Sequence, residues 1–168
     1  MSRVCLDNHI LIWGVRGMAT AGQEAVIQRA KGLLEKLDSE EADILVPTVV
    51  VGEFLAGVPK SQHTGLLNVP NRRFQLPPYD VRVAAVAAGL WRDYAERTPT
   101  LREQIQSDFP GTQRVKIKAD VQILATALVR KAEVLYTHDG PLATLAAGLI
   151  EVRELPPPPL VQDILFEG

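Results

Sequence analysis

A single cysteine stands in a chain of 168 residues. No intramolecular disulfide can form, and Cys5, set in an apolar run, reads as a small core residue rather than a reactive thiol. No apolar stretch reaches the roughly 18 residues of a membrane span. The N-terminus also lacks the basic region and long apolar segment of a secretory signal. A reducing, cytoplasmic setting with no membrane association is the expectation. Positive charge is not in excess either: the net charge is −2, so any contact with nucleic acid has to come from a local patch. No internal repeat is visible. What remains is an ordinary globular balance, 46% hydrophobic and 23% charged, which argues against disorder and fits one domain with a sizeable core.

Residues 3–7 read as a short strand that ends at an acid. From Gly22 to Asp38 the apolar positions Val26, Ala30, Leu33, Leu34 and Leu37 recur at helical spacing, opposite a polar face of Glu24, Arg29, Lys31, Glu35 and Lys36. "ADILVP" (42–47) is a second strand, and Thr48 is placed to cap a helix through "VVVGEFLAG". Residues 58–71 read as loop with one helical turn, and "RRFQLP" (72–77) as a weak strand broken by Pro77-Pro78. Asp80 caps a further helix with Val83, Val86, Ala87, Leu90 and Tyr94 on one face. Residues 97–118 lack a clear period and read as mostly loop; a helix starts near Ala119. "EVLYT" (133–137), "PLATLAAG" (141–148) and "IEVREL" (150–155) follow as strand, helix and strand, before a tail stiffened by Pro156–Pro159. Strands alternating with helices imply right-handed crossovers: an α/β fold, a three-layer αβα sandwich around a mainly parallel sheet of four or five strands.

Most of the acids lie on polar helix faces, where solvation explains them. Four do not fit that account as easily. Asp7 ends the first strand, Glu53 sits in an otherwise almost wholly apolar helix, Asp120 opens "ADVQILATAL", and Asp139 lies just past "VLYT". The carboxyl ends of parallel strands share one edge of the sheet, where ligand sites collect. Each acid also has a plain structural reading. Asp120 suits an N-cap or first turn, Asp139-Gly140 an ordinary turn, and Asp7 can cap the turn that follows it. Glu53 is the hardest to dismiss as structural. Gathered in one pocket, carboxylates repel and raise one another's pKa; a divalent cation relieves this, and oxygen-only ligands suit Mg²⁺ or Mn²⁺ rather than zinc.

Four segments carry a resemblance. "VCLDNHILIW", "VPTVVVGEFLAG", "KADVQILATAL" and "LYTHDGPL" resemble, in order, the four motifs of PIN-domain ribonucleases, across about residues 3 to 155. In size and lack of added domains the chain looks most like the VapC toxins of bacterial toxin–antitoxin modules. The resemblance implies a nuclease domain over residues 1–155 with a separate tail at 156–168. It also implies an endoribonuclease dependent on Mg²⁺ or Mn²⁺, with Asp7, Glu53, Asp120 and Asp139 as catalytic, metal-holding acids. Thr137 matches a hydroxyl position that supports the site. Asn8 stands where the family more often has serine or threonine, able to bond a water or phosphate. Pro141 stands where a further acid often follows. A cognate antitoxin is implied as partner.

RNA needs positive charge beside the acids. Arg97, Arg102, Arg114, Lys116 and Lys118 outnumber Glu103 and Asp108 by three in 97–118. Of these, Arg114, Lys116 and Lys118 lead straight into Asp120 and are the candidate phosphate contacts; the plain reading is a solubilised loop. Arg72 and Arg73 are a weaker second patch. Trp13 and Trp91 read as core rather than as platforms for bases. His9 and His138 adjoin two of the acids but form no zinc-type spacing, and His63 lies in a loop. The apolar "LVQDILF" (160–166) suits a partner, a second copy of the chain in a homodimer, or its own sheet. Two rivals remain: a PIN-like module that binds RNA or protein without cutting, and a phosphatase, for which "DNHIL" lacks a D-x-D-x-T pattern.

Overall fold

The computed structural model describes residues 2–67, 74–97 and 99–157. Five strands, β1 (Arg3–Leu6), β2 (Asp43–Leu45), β3 (Phe74–Gln75), β4 (Val134–Tyr136) and β5 (Glu151–Arg153), form one sheet in the order β3-β2-β1-β4-β5. Every pairing is parallel. Val4, Cys5 and Leu6 in β1 and Val134, Leu135 and Tyr136 in β4 are all buried, the unbroken apolar run expected of strands covered on both faces. Cys5 is fully buried, and burial, then the Asp7 charge, raise its thiol pKa far above the ordinary range. It is core, as its setting suggests.

Eight helices complete the described chain: α1 (Asn8–Leu11), α2 (Ala25–Ser39), α3 (Thr48–Ala56), α4 (His63–Leu67), α5 (Val81–Arg92), α6 (Pro99–Asp108), α7 (Arg114–Val129) and α8 (Gly140–Ala146), with π-helical turns at Ile12–Arg16 and Asp93–Arg97. The path from β1 to β3 runs one way across the sheet, and from β1's other neighbour, β4, to β5 it runs the opposite way. Right-handed crossovers therefore place α1–α4 over one face and α5–α8 over the other. Helix α7 packs against α5 and α8, and it also touches α3. With the sheet between the two layers, α3 and α7 can meet only beyond the strand ends. Among the described residues no helix is long and apolar enough to cross a membrane.

Two expectations change. The 97–118 segment is mostly helix, not loop: Pro99 opens α6, where a missing N–H costs nothing. Phe109-Pro110-Gly111-Thr112 is then a tight turn, with Gly111 at φ 83 and the Thr112 amide donating to the Phe109 carbonyl at 3.2 Å. The prolines marked boundaries rather than a loop, and α6 hid its period because only Ile105 is buried along it. Helix α7 accordingly begins at Arg114, five residues before Ala119. Thr48 is likewise the first helical residue rather than the cap; the cap position is Pro47, and the Thr48 hydroxyl accepts from the Tyr79 amide at 3.2 Å. Asp80 caps α5 as expected, accepting from the Arg82 and Val83 amides. Arg72, Arg73 and the "LVQDILF" segment lie outside the described residues.

Candidate active site

The sheet order reverses between β1 and β4, and such a switch point opens a crevice at the carboxyl ends of the strands. Asp7 follows β1 directly, and its amide donates to the Tyr136 carbonyl at 3.1 Å. Asp139 lies three residues past β4. The adjacency of these two strand ends, not their distance in sequence, brings the two acids together. Helix α7 contributes Asp120 from its second turn and α3 contributes Glu53, on the two helices that meet past the sheet.

The start of α7 at Arg114 removes one plain reading. Asp120 is inside the helix, so it caps nothing, yet it is only 5% exposed, as is Asp7. With Thr126 and Thr137 these are the buried polar residues among those described. Thr126 satisfies itself by donating to the Gln122 carbonyl at 2.8 Å. Asp7, Asp120 and Thr137 belong to the crevice.

Thr137 ties the two strand ends together. Its hydroxyl donates to Asp7 Oδ2 at 2.8 Å and accepts from the Asp139 amide at 3.0 Å. Asp7 Oδ1 accepts from the Asn8 amide at 2.7 Å, and Asp139 Oδ1 from the Leu142 amide at 2.9 Å, so each also caps the helix that follows it. Asn8 Oδ1 is a buried oxygen with no protein partner. Gly140 is forced by packing: a Cβ there would run into the Phe109 ring.

Lys116 closes the group. Its Nζ lies 2.8 Å from Asp120 Oδ2 and 2.6 Å from Asp139 Oδ2. Burial pushes the Asp120 carboxyl up to about 7, against the pull of Lys116 and with smaller upward contributions from Asp139 and Asp7. The Lys116 ammonium is held above its ordinary range because its bonds and charge attraction to Asp120 and Asp139 outweigh its own desolvation, the largest single effect. Glu53 corrects the expectation of an inward carboxylate: it is an exposed residue on α3, whose buried residues are Val50 and Phe54. Its carboxyl is nonetheless raised, first by partial desolvation, then by Asp7 and, more weakly, Asp139, with Lys116 and His9 opposing. Glu53 thus stands at the rim of the crevice.

The three basic candidates part company. Arg114 and Lys118, one helical turn apart, sit over the Trp91 ring at 5.1 and 5.3 Å from its centroid, while Lys116, on another side of α7, turns to the acids. Trp91 is half-buried beside Tyr94 and packs against the core. Trp13 packs between His9 and His138, with centroids at 5.5 and 5.2 Å. His138 Nε2 accepts from the Leu155 amide at 2.9 Å, and burial lowers the ring's pKa, so it serves as a neutral structural acceptor. His63 bonds the Val58 carbonyl. The Lys116 bridge was missed from sequence, although its i, i+4 spacing to Asp120 was there to read.

Fold and crevice together define an α/β protein with an all-parallel five-stranded sheet and an acid-lined switch point, consistent with a PIN-like fold. No protein-family model matches the sequence, and no curated protein is similar to it. Solved structures do match. A chain of the VapBC2 complex from Rickettsia felis, bound to a DNA fragment from their promoter, is 13% identical, with 92% of this chain and 99% of that one covered at a TM-score of 0.58. A chain of a toxin–antitoxin complex from Klebsiella pneumoniae is 17% identical, with 89% and 95% covered at a TM-score of 0.53. At these identities the likeness is one of fold.

Proposed function

We propose that the chain is an endoribonuclease dependent on Mg²⁺ or Mn²⁺, acting as the toxin of a toxin–antitoxin pair. One observation carries the reading: Asp120, an ionisable acid inside a helix, is buried at the switch-point crevice, where it caps nothing and other acids already stand. The fold neighbours, chains of toxin–antitoxin structures, support an antitoxin partner. A cytoplasmic setting and a homodimer belong to the same proposal.

The donor set suits the ion. Among the described residues no three acid, histidine or cysteine side chains stand close enough to enclose a metal. Mg²⁺, however, keeps several waters and uses one or two carboxylates. Asp120 and Asp139 already converge on a cationic group within 2.8 Å, and the unpartnered Asn8 Oδ1 adjoins Asp7. Asp120 and Asp139 would hold the ion directly, with Asp7 and Glu53 shaping the field around it. When bound, the ion supplies positive charge against a phosphodiester and lowers the pKa of water. Thr137 keeps Asp7 oriented and its charge satisfied. Arg114 and Lys118, beside Trp91, offer an RNA backbone a basic strip outside the crevice; Lys116 contacts the acids themselves.

Incubating the protein with single-stranded RNA and Mn²⁺, with and without EDTA, tests the reading. Cleavage that EDTA stops, and that Asp120→Asn and Asp139→Asn each reduce by about a hundredfold or more, is expected. RNA binding without Mn²⁺-dependent cleavage assigns the chain to a binding module instead. Hydrolysis of a small phosphomonoester but not RNA assigns it to the phosphatases.

A further inference from the structure

We infer that Lys116 is a resident counter-ion of the crevice, and that divalent metal binding is an exchange in which the metal replaces its ammonium between Asp120 and Asp139. The inference rests on reading those two acids as a cation site.

The oxygens that face each other across the crevice already hold the ammonium. Asp139 Oδ1 is taken by the Leu142 amide; its other oxygen, like Asp120 Oδ2, faces the ammonium at 2.6 and 2.8 Å. Asp7 has both oxygens engaged, by the Asn8 amide and the Thr137 hydroxyl. A dication bonded to the carboxylate oxygens at about 2.1 Å would stand where Nζ now sits, and the two positive charges cannot share that place.

The same contacts make the exchange easy. A lysine placed N-terminal to an acid at i, i+4 is the weaker orientation on a helix, so α7 by itself does little to hold the pair. The bond to Asp139, from a different element, completes it. The Lys116 side chain is 40% exposed, which leaves it a route to solvent. Its flexible stem carries a point charge rather than the fixed fork of an arginine. With the crevice loaded, the displaced ammonium remains tethered one helical turn from Asp120, beside the place where an anionic substrate would approach. Metal-free, the lysine limits the repulsion among the acids.

Calorimetric titration of Mn²⁺ into the metal-free full-length protein tests this in wild type, Lys116→Met and Lys116→Arg. Lys116→Met is expected to bind Mn²⁺ about fivefold or more tightly than wild type, since it lacks the competitor; Lys116→Arg is expected to bind no more tightly. In wild type carrying ¹³C-labelled lysine, Mg²⁺ should move the Lys116 Cε resonance towards that of a solvated lysine. This second measurement decides the matter even where the Met variant does not fold. Equal or weaker Mn²⁺ binding by Lys116→Met, or a Lys116 resonance that stays put at saturating Mg²⁺, overturns the exchange while leaving a metal site in place. No binding of Mn²⁺ to wild type or to Lys116→Met removes both the exchange and the metal-dependent reading.

Discussion

Thr137 allows a sharp test, because shape and hydrogen bonding can be separated at one buried position. The side chain is 1% exposed. Thr137→Val keeps its outline but removes the donor to Asp7 Oδ2 and the acceptor for the Asp139 amide. A hydrogen bond to a charged group is worth about 1.5–3 kcal/mol, and a buried amide left without a partner costs about 1 kcal/mol more. The expected loss is about 2–4 kcal/mol, a fall in Tm of roughly 5–15 °C for a domain of this size. Thr137→Ser keeps both bonds and loses one methyl group, for about 1 kcal/mol. Urea and thermal unfolding in EDTA, followed by circular dichroism, give both numbers. The valine variant should be the less stable by a clear margin. If serine proves as damaging as valine, or more so, Thr137 acts by filling space, and the hydroxyl link between the strand ends carries little weight.

Three further outcomes are expected. In metal-free protein, Asp120 holds its proton more tightly folded, near pH 7, than unfolded, near 3.8; its contribution to stability is therefore complete below pH 4 and is lost as pH rises towards 7. Asp120→Asn should flatten that part of a Tm–pH profile, and an unchanged slope would refute the assignment. Gly140→Ala should cost about 1–3 kcal/mol by overpacking against Phe109, and Phe109→Leu in the same chain should recover part of it in a double-mutant cycle. Arg29 donates to the Leu155 carbonyl at 2.6 Å and the Pro156 carbonyl at 2.8 Å; Arg29→Ala should speed hydrogen exchange at the Leu155 amide and proteolysis at 155–157, with the sheet core unchanged.

The sheet was legible because its central strands are runs of buried apolar residues, which periodicity and the following turns delimit well. The crevice was legible for a related reason: Asp7 stops such a run, Asp139 lies three residues past another, and the strand end is where an acid stands out. The α6 segment was not legible. A helix that buries one residue, Ile105, has no stripe to read, although it packs against α8 and the π-helical turn before it. The later start of the next helix in that reading is what left capping open as an alternative for Asp120. Glu53 misled in the opposite way. Val49 and Val51 are only partly buried, so the apolar letters around Glu53 do not mean an apolar environment. Arg114, Lys116 and Lys118 look alike in a string as phosphate contacts, while a helix sends 114 and 118 one way and 116 another.

The structural and functional readings of Asp7 and Asp139 are not rivals, because a carboxylate has two oxygens and these residues divide them. In each, Oδ1 caps a helix, accepting from Asn8 or Leu142, and Oδ2 turns to the crevice, towards Thr137 or Lys116. Capping fixes the side-chain rotamer locally, within a residue or three, before any distant contact is needed. The second oxygen of Asp7 then finds its partner only when β4 pairs with β1 across some 130 residues of sequence, and that of Asp139 when α7 packs beside α8. Asp120 caps nothing, and its local contact is Lys116, four residues back on α7. Its position depends on α7 packing against the closed sheet, where burial raises its carboxyl against the pull of Lys116. Closing the sheet therefore gathers acids at one edge, and Lys116 is the cation of the chain that answers them where Asp120 and Asp139 meet.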